Sequence, residues 1–380
     1  MNHIRKKDHI YDVVVVGAGL PGLVAAVSLI KKGIDVCVLE STEFAGGHSR
    51  SVYSPVGLVD NGIKFFPDNQ DTIAALEKLN PLLTHPIEWG SVENGPITYH
   101  NGDLKPFVGF GKDAPDFHRE LSYFLEPRRF ETSRNLGLIV ADLASQLGER
   151  FYPASIVTKY LGQGDTIQSV MVNGQKQING RQFIHAASPK LLATLLSDDV
   201  LSARAKQKIS KADYWTALGL DLFFHGEVSN RSELHLLNGT TQDEIGPCVG
   251  LFHPAAPSDK LNGDLLQHSQ WMTFVENEAS EDPEVIGSIL KKIKRQIKRA
   301  YPEAMEKIYS ERILVAPFAE AELDLKFDKK GAFAGIENLW LAHGTSSNGR
   351  NIVGAIHQGI NVANHFAKDS VVAEAELLGV

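Results

Sequence analysis

The sequence predicts an α/β fold built around a strand–helix–strand unit, together with a second domain of the α+β class. Residues 12–16, 20–32 and 34–40 supply the unit: two short β-branched runs flank a stretch with apolar residues at helical spacing. A glycine-rich turn, GAGLPG, joins the first strand to the helix. The chain has 380 residues, more than one small hydrophobic core accommodates, so two domains are expected. These observations favour a Rossmann-like first domain.

The first three elements predict a parallel pair of strands. Residues 12–16 and 34–40 are almost wholly apolar, which is typical of strands buried on both faces. The helix between them ends at Gly33, a residue favoured just after a helix C-terminus. Because a helix connects the strands within about 30 residues, we expect them to run parallel.

The rest of the chain alternates between helices and strands, with a Pro- and Gly-rich region at 81–112. Strands are predicted as a cluster over 151–187 and singly over 214–226, 268–278 and 338–342. Helices are predicted at 71–79, 114–125, 134–147, twice within 189–210, at 283–300 and at 352–367. No internal repeat is apparent.

The composition excludes several classes of function. The net charge is −8, from 38 basic and 46 acidic residues, so nothing points to nucleic acid. Two cysteines, Cys37 and Cys248, are too few for a disulfide framework or a thiolate zinc cluster, and they fit a reducing cytoplasm. No histidine spacing typical of a metal site occurs either.

The sequence also gives expectations about membranes. The N-terminal MNHIRKKDHIYD lacks the apolar segment of a signal peptide, and no apolar run reaches the roughly 20 residues that span a bilayer. The 283–300 helix has a basic face that we expect to be solvated; weak peripheral contact with a membrane or a partner is the alternative.

The turn GAGLPG has the spacing of a dinucleotide-binding fingerprint. Gly17 allows the tight turn, Gly19 lets the backbone approach a pyrophosphate, and Gly22 lets helix and strand pack closely. Glu40 ends the next strand, 18 residues after Gly22, where a carboxylate bonds a ribose hydroxyl and repels a 2′-phosphate. The fingerprint argues against NADP but leaves NAD and FAD open.

Three further features favour the longer flavin dinucleotide. AGGHSRS, residues 45–51, begins five residues after Glu40 and contains a glycine pair, where backbone N–H groups can face a ligand. The fold starts near residue 12, so almost the whole chain follows it. Late in the chain, a buried strand, a turn at Gly344 and a helix repeat the first design and could face another part of the same cofactor.

These segments resemble the FAD-dependent amine oxidase superfamily, which includes protoporphyrinogen oxidases and phytoene desaturases and, more distantly, UDP-galactopyranose mutase. The resemblance lies in DVVVVGAGLPGLVAAVSLIKKGIDVCVLESTEFAGGHSRS, in ENLWLAHGTSSNGRNIVGAIHQG and in the strand cluster that begins near residue 151. It implies non-covalently bound FAD, a FAD domain of the glutathione-reductase type and a substrate domain. Its FAD domain would combine 1–80, 131–205 and 331–380, and its substrate domain 81–130 and 206–330.

The resemblance also implies which residues bind the cofactor. The first glycine turn would line the pyrophosphate, the loop after Glu40 would follow the phosphates and ribityl chain, and the segment from Gly62 would lie beside the flavin ring. The full set is Gly17, Ala18, Gly19, Leu20, Pro21, Gly22, Glu40, Ser41, Gly46, Gly47, His48, Ser49, Arg50, Gly62, Ile63, Lys64, Ile156, Ala187, Gly344, Thr345, Val353, Gly354 and Ala355.

The chain departs from the family pattern in three respects. Thr345 stands where the family has an aspartate at the ribityl chain, although a hydroxyl can still bond there. No match is found for the paired aromatic residues that sandwich an amine, which weakens an amine as the substrate. No cysteine follows Cys248, so a C-terminal thioether to flavin is excluded.

Three residues are candidates for the chemistry: Lys64, His48 and His357. A cation at Lys64 would stabilise negative charge on a reduced flavin, and the sugar mutases resemble this segment with a histidine in its place. His48 could bond the ribityl chain or the flavin, and His357 would lie near the pyrimidine edge. The simpler alternatives are a solvated lysine, a loop histidine and a helix histidine without catalytic roles.

The predicted function is oxidation of a small or medium-sized organic molecule by hydride transfer to FAD. One alternative is a non-redox flavin enzyme of the mutase type that acts on a nucleotide sugar. Another is a flavin-binding protein with degenerate chemistry. The expected partner is a small-molecule substrate, and a homodimer is compatible with the sequence.

Overall fold

A computed structural model describes residues 9–93, 95–112, 115, 121–238, 247–255, 260–261, 264–322, 333, 335–343 and 351–378. Within these ranges the chain forms two large sheets and two small ones, with seven helices. The predicted α/β class is confirmed. No helix of the described residues is long and apolar enough to cross a bilayer.

The first large sheet carries the strand–helix–strand unit. Its strand order is β10-β2-β1-β13-β12-β11, and β20 also pairs with β13. The pairs β1/β2, β1/β13, β2/β10 and β13/β20 are parallel, whereas β11, β12 and β13 form an antiparallel meander. The strands are β1 (Ile10–Val16), β2 (Val36–Leu39), β10 (Phe151–Tyr152), β11 (Val157–Gln163), β12 (Thr166–Val172), β13 (Lys176–His185) and β20 (Leu339–Leu341).

Helices cover both faces of this sheet, so alternate side chains of β1 point into two different hydrophobic cores. Val13 and Val15 point into one core with α1 (Leu20–Lys31), α2 (Gln70–Leu79), α3 (Leu136–Ser145) and α7 (Ile352–Leu378). Val14 and Val16 point into the other core with α4 (Pro189–Leu195) and α5 (Ala203–Ser210). A strand buried on both faces lies in the middle of a doubly covered sheet, as its continuous apolar sequence predicts.

The second large sheet has eight strands and lies over the loop that follows the first unit. Its order is β19-β14-β18-β16-β15-β7-β8, and β17 pairs with β18. These strands are β7 (Ile97–His100), β8 (Asp103–Pro106), β14 (Asp213–His225), β15 (His235–Leu237), β16 (Cys248–Phe252), β17 (Lys260–Leu261), β18 (Asp264–Glu276) and β19 (Ile308–Glu322).

The two faces of this second sheet have different partners. One face packs against α6 (Pro283–Ala300), whose apolar side is buried there, so the helix exposes mainly its basic side. The other face packs against Ile63 and Phe65, and against Leu121 and Phe124. The loop around residue 63 is therefore held between the two large sheets.

Two small sheets complete the described fold. A hairpin is formed by β3 (Ser51–Ser54) and β4 (Gly57–Asp60). A three-stranded sheet pairs β9 (Arg128–Thr132) with β5 (Phe66–Pro67) and β6 (Trp89–Glu93).

Most predicted elements occur within a few residues of their expected bounds, but β19 was not predicted. Its exposed side chains include Ile313 and Val315, whereas the inward neighbour Arg312 is charged. Apolar side chains are thus exposed and a charged side chain points inward, the reverse of the usual alternation. The sequence pattern therefore did not indicate a strand here. The helix predicted at 114–125 falls largely outside the described residues, and its end forms a 3-10 turn, Tyr123–Leu125.

Candidate active site

The first glycine turn lies where β1 meets α1. Gly17 has φ +102° and donates its N–H to the Leu39 carbonyl at 2.8 Å. A Cβ added to Gly22 would lie 2.2 Å from the Gly17 oxygen, so only glycine lets α1 approach the strand this closely. At Gly19, by contrast, an added Cβ would make only ordinary contacts, the nearest at 3.8 Å, and the residue is half-buried, so the backbone there is partly accessible.

The N-terminus of α1 is not capped by a side chain. Its N-cap residue is Gly19, and proline occupies the first turn. The first N–H groups of a helix have no partner within the helix, and together with the helix dipole they attract anions. An uncapped, partly accessible helix N-terminus is the geometry that phosphate groups use.

The second glycine pair lies against the first turn. Gly46 donates its N–H to the Ala18 carbonyl at 2.7 Å, and Gly19 and Gly46 form a parallel β-bridge. Gly46 and Gly47 have φ of +110° and +51°. A Cβ on Gly46 would lie 2.6 Å from Val140 Cγ1, so this loop needs glycine both for its conformation and for its packing.

Glu40 lies beside both glycine turns and is buried. Its Oε2 accepts the Ala18 N–H at 2.8 Å, and its Oε1 accepts from the Thr42 N–H at 2.9 Å and from the Ser41 hydroxyl at 3.1 Å. The carboxylate therefore fixes the shape of the first glycine turn, and a ligand hydroxyl would share it with these donors.

The cleft formed by these residues fits a dinucleotide. Open backbone at Gly19, an uncapped helix N-terminus and a second glycine loop lie side by side, and an acidic residue sits at the end of the neighbouring strand. Leu20, Pro21 and Gly22 begin α1 and are buried, with Ala18 beneath them. Ala187 also borders the turn: its nitrogen would lie 3.1 Å from a Cβ on Gly17.

The loop after Gly47 has its own internal bonds. Ser49 donates its N–H to the Gly46 carbonyl at 2.9 Å. The Arg50 guanidinium lies over the Phe44 ring, 5.6 Å from its centroid. This placement is a cation–π contact at the rim of the loop.

Lys64 and His48 are in direct contact. Lys64 donates from Nζ to the His48 carbonyl at 2.9 Å. Burial lowers the pKa of Lys64 to about 8, and Asp60 and Asp221 offset part of this effect. His48 is open to the cleft on one side but packed on the others; this desolvation, with the charges of Lys64 and Arg50, lowers its pKa to about 4. The geometry thus pairs a cation with a neutral imidazole.

Gly62 and Ile63 bring Lys64 to this position. Gly62 has φ +83°, and a Cβ there would lie 2.9 Å from Leu314 Cδ2 on the second sheet. Ile63 is buried in the core below that sheet. The segment therefore turns sharply and anchors one side chain, which leaves Lys64 facing the cleft.

The remaining predicted cofactor residues lie at two other places. Ile156 has an exposed side chain, and its main-chain N–H and C=O both bond Asn173, at 2.9 and 2.7 Å. At the start of α7, the Asn351 side chain accepts the Gly354 N–H at 3.0 Å, and Val353 and Ala355 are buried. Gly344 and Thr345 lie outside the described residues.

Within the described residues, His357 forms no hydrogen bond or ion pair with the other two catalytic candidates, Lys64 and His48. Its Nε2 lies 3.0 Å from Asp71 Oδ1 and 3.1 Å from the Asp71 carbonyl oxygen. The imidazole ties α7 to the first turn of α2. Nearby, a Cβ on Gly359 would lie 2.5 Å from the Pro21 oxygen, so α7 also packs directly on the start of α1.

The structure adds a polar network on the second sheet that the sequence reasoning missed. Asp221 on β14 is buried and pairs with Arg312 on β19, whose Nε lies 2.9 Å from Oδ2. Burial alone would raise the pKa of Asp221, but His268 and Arg312 hold it below its usual range. Gln270 on β18 donates to the Asp60 carbonyl at 3.0 Å and to Asp221 at 3.3 Å. The network connects the sheet to the loop that carries Lys64.

Two histidines continue this network. His253 Nε2 lies 3.1 Å from Gln270 Oε1, and the His253 and His268 rings stack with centroids 4.8 Å apart. The other face of His268 stacks on Phe223 at 4.7 Å. The sequence signal was Gln-His-Ser-Gln at 267–270, four consecutive polar residues in the middle of a long strand, all of them buried.

A cavity of about 270 Å³ lies between this network and Lys64. Its polar lining consists of Asp60, Lys64, Asn135, His253, His268 and Gln270, and its apolar lining of Val56, Leu58, Val59, Leu251 and Pro254. Lys64 thus borders both the glycine cleft, through His48, and the cavity. A molecule in the cavity would approach a ligand of the cleft at Lys64.

Known proteins resemble this chain in sequence and in fold. Residues 20–144 match the family model of the flavin containing amine oxidoreductases. The flavin-containing amine oxidase A of Canis lupus familiaris is 32% identical over 130 residues, which are 34% of this chain and 24% of that protein. A hydroxyneurosporene desaturase of Rhodobacter capsulatus is 45% identical over 51 residues, 13% of this chain and 10% of that protein. The match thus spans about a quarter or less of these relatives.

The fold extends the likeness to nearly the whole chain. Cyclohexylamine oxidase from Brevibacterium oxydans superposes with a TM-score of 0.65 at 13% identity, covering 95% of this chain and 99% of that one. Wild-type putrescine oxidase with bound putrescine gives a TM-score of 0.64 at 13% identity, with 95% and 99% covered.

The glycine segments and the fold thus resemble those of flavin containing amine oxidoreductases, as the sequence predicted. The sequence match covers about a third of this chain, and the likeness in fold covers almost all of it.

Proposed function

We propose that this chain is an FAD-dependent oxidoreductase that oxidises a small or medium-sized organic molecule. One observation carries the proposal: the uncapped start of α1 and the Gly46–Gly47 loop meet at the Gly19–Gly46 bridge, with the backbone of Gly19 half-buried and that of Gly47 exposed. Non-covalently bound FAD fits this cleft. When bound, it supplies the hydride-accepting chemistry.

The chain's own residues hold the cofactor in this proposal. The α1 N-terminus and Gly19 bind the pyrophosphate, and Glu40 orients the adenosine ribose. Because Glu40 also bonds the Ala18 N–H at 2.8 Å, ribose binding and the shape of the pyrophosphate turn depend on one carboxylate. Gly47, His48 and Ser49 continue along the same cleft.

Lys64 has two roles in the proposal. Its bond to the His48 carbonyl fixes the ammonium group at the edge of the cleft. A cation held there favours negative charge on a neighbouring ligand, because the partly buried site screens charges less than water does. The same side chain lines the cavity and so contacts the substrate.

The mutase-type function is retained as a second candidate, because of one observation. The described lining of the cavity contains no Phe, Tyr or Trp, whereas amine binding relies on such rings. A mutase would need the flavin to be reduced beforehand and would show no net oxidation of its product.

Anaerobic mixing with candidate substrates distinguishes these functions. We expect at least one small metabolite to bleach the oxidised flavin band, and oxygen or another acceptor to restore it. Conversion of UDP-galactose only after prior reduction would establish the mutase function instead. A bound flavin that no reductant bleaches would indicate a binding protein with degenerate chemistry.

Two further proposals accompany this function. The chain divides into a FAD domain of residues 1–80, 131–205 and 331–380 and a substrate domain of 81–130 and 206–330; the separate hydrophobic cores of the two large sheets support this division. The cytoplasm is the proposed location, supported by the free thiols of Cys37 and Cys248.

A further inference from the structure

The cavity between Lys64 and the second sheet differs from a site built for a cationic amine. A protonated amine needs an uncompensated carboxylate or aromatic faces. The rings in the described lining are the imidazoles of His253 and His268. The choice of ligand therefore depends on the charges that face the cavity.

Neither carboxylate near the cavity is free to bind a cation. Asp60 accepts the N–H groups of Leu136 at 3.2 Å and Gly137 at 2.9 Å, at the start of α3. Asp221 is paired with Arg312 and also accepts from Gln270. Asp221 thus has a cationic partner, and the Asp60 oxygens already accept two backbone N–H groups.

Lys64, the cation that lines the cavity, has hydrogen-bond donors that its contact with His48 does not occupy. Lys64 donates one of its three N–H groups to the His48 carbonyl, which is a neutral acceptor. The other two N–H groups can bond a ligand. The ammonium group is partly buried and also interacts with the charges of Asp60 and Asp221, but its hydrogen bond is to a neutral oxygen, so it can still pair with an anion.

The histidines present a fixed hydrogen-bond pattern. Gln270 Nε2 contacts two acceptors, the Asp60 carbonyl and Asp221 Oδ1, so its Oε1 must face His253. His253 Nε2 therefore carries the hydrogen, and its Nδ1 is an acceptor. The Nε2 of His268, which is only 5% exposed, has no hydrogen-bond partner and lies 3.7 Å from Asp221. Both imidazole rings line the cavity, so they would border a ligand bound there.

We propose that this cavity binds a compact molecule through a carboxylate that pairs with Lys64, rather than a protonated amine. The inference rests on the proposed function, since it names the substrate class of the same site. The described volume of about 270 Å³ suits a small carboxylate that also carries an apolar part, for which Val56, Val59 and Leu251 provide contacts.

Three probes of similar size test the charge preference: butyrate, butyramide and butylammonium. Titration of the purified full chain, followed by its melting temperature, should show stabilisation by butyrate and little or none by the other two. Stabilisation by butylammonium, or equal effects of butyrate and butyramide, would overturn the proposal. Stabilisation by inorganic phosphate without any by butyrate would overturn the carboxylate assignment.

Variants at Lys64 assign the effect to this cavity. K64Q should weaken butyrate binding about tenfold or more, and K64R should restore most of it. K291Q removes an exposed lysine of α6 and should leave the affinity unchanged. Unchanged affinity in a folded K64Q protein would place the anion elsewhere and contradict the proposal.

The melting-temperature readout separates the two proposals. It needs no bound flavin, so a chain that binds butyrate but not FAD would overturn the proposed function alone. A chain that binds FAD but not butyrate would overturn only the substrate class.

Discussion

The glycine cleft and the cavity adjoin at Lys64, yet they are built in different ways. The cleft is made of backbone from two short segments, Gly17–Gly22 and Gly46–Gly47, which one strand and one helix bring together. The cavity is made of side chains that come from β4, β16, β18 and the loops around them. Backbone sites tolerate almost no added atoms, whereas side-chain sites depend on pairing of buried charges. The two regions should therefore respond differently to substitution.

The largest effect is expected from Gly22→Ala. The new Cβ would lie 2.2 Å from the Gly17 oxygen and 2.9 Å from Ala186 Cβ. Relieving this overlap should cost about 3 kcal/mol of unfolding free energy and displace the turn, so that bound flavin is lost. Urea unfolding and the flavin absorbance measure the two effects.

Gly287→Ala is the matched control for Gly22→Ala. Gly287 also lies inside a helix, but nothing lies within 4 Å of a Cβ added there. The same substitution should leave stability unchanged or raise it by up to about 1 kcal/mol. Similar losses in both variants would contradict the assignment of the effect to the close approach of α1 to Gly17, since Gly287 has no such close neighbour.

The next largest effect is expected from Asp221→Asn in the cavity network. The substitution keeps the shape but leaves Arg312 without its buried counter-charge. Because the Arg312 side chain is 24% exposed, we expect a loss of about 2 kcal/mol, below the usual cost of breaking a buried pair. Flavin should still bind. Asp198→Asn removes an exposed partner of Lys206 and should change stability little.

Glu40→Gln should affect the cleft but not the cavity. An amide cannot accept the N–H groups of both Ala18 and Thr42, so the first glycine turn should shift. We expect the affinity for FAD to fall about tenfold, measured by quenching of flavin fluorescence on titration into the chain freed of its cofactor. Glu43→Gln, at an exposed position in the same loop, should bind FAD normally.

The smallest effect concerns the pH dependence of stability at Lys64. The pKa of Lys64 is about 8 in the folded chain, compared with its ordinary value of 10.5. Between these two pKa values the Lys64 amine carries a proton in the unfolded chain but not in the folded chain. The free energy of unfolding contributed by Lys64 therefore rises with pH. The difference in unfolding free energy between wild type and K64M should grow in favour of wild type from pH 7.5 to 9.5, by on the order of 1 kcal/mol. Parallel curves would contradict the lowered pKa.

The same contrast explains what the sequence could predict. GAGLPG and AGGHSRS lie within 35 residues, and each contains the backbone conformations that it needs, so spacing alone indicated a dinucleotide cleft. The cavity depends on register: His268 and Gln270 reach Asp221 only because β14 and β18 pair Phe223 with His268 and Asp221 with Gln270. No local pattern encodes that pairing, and β19, which supplies Arg312, has apolar residues on its exposed side.

An absorbance spectrum of the purified full chain tests the central claim most directly. We predict the bands of oxidised flavin in the native protein, either as isolated or after incubation with FAD. Denaturation should release all of that flavin into solution, because the chain is proposed to hold it without a covalent bond. A folded chain that stays colourless after incubation with FAD would contradict the account.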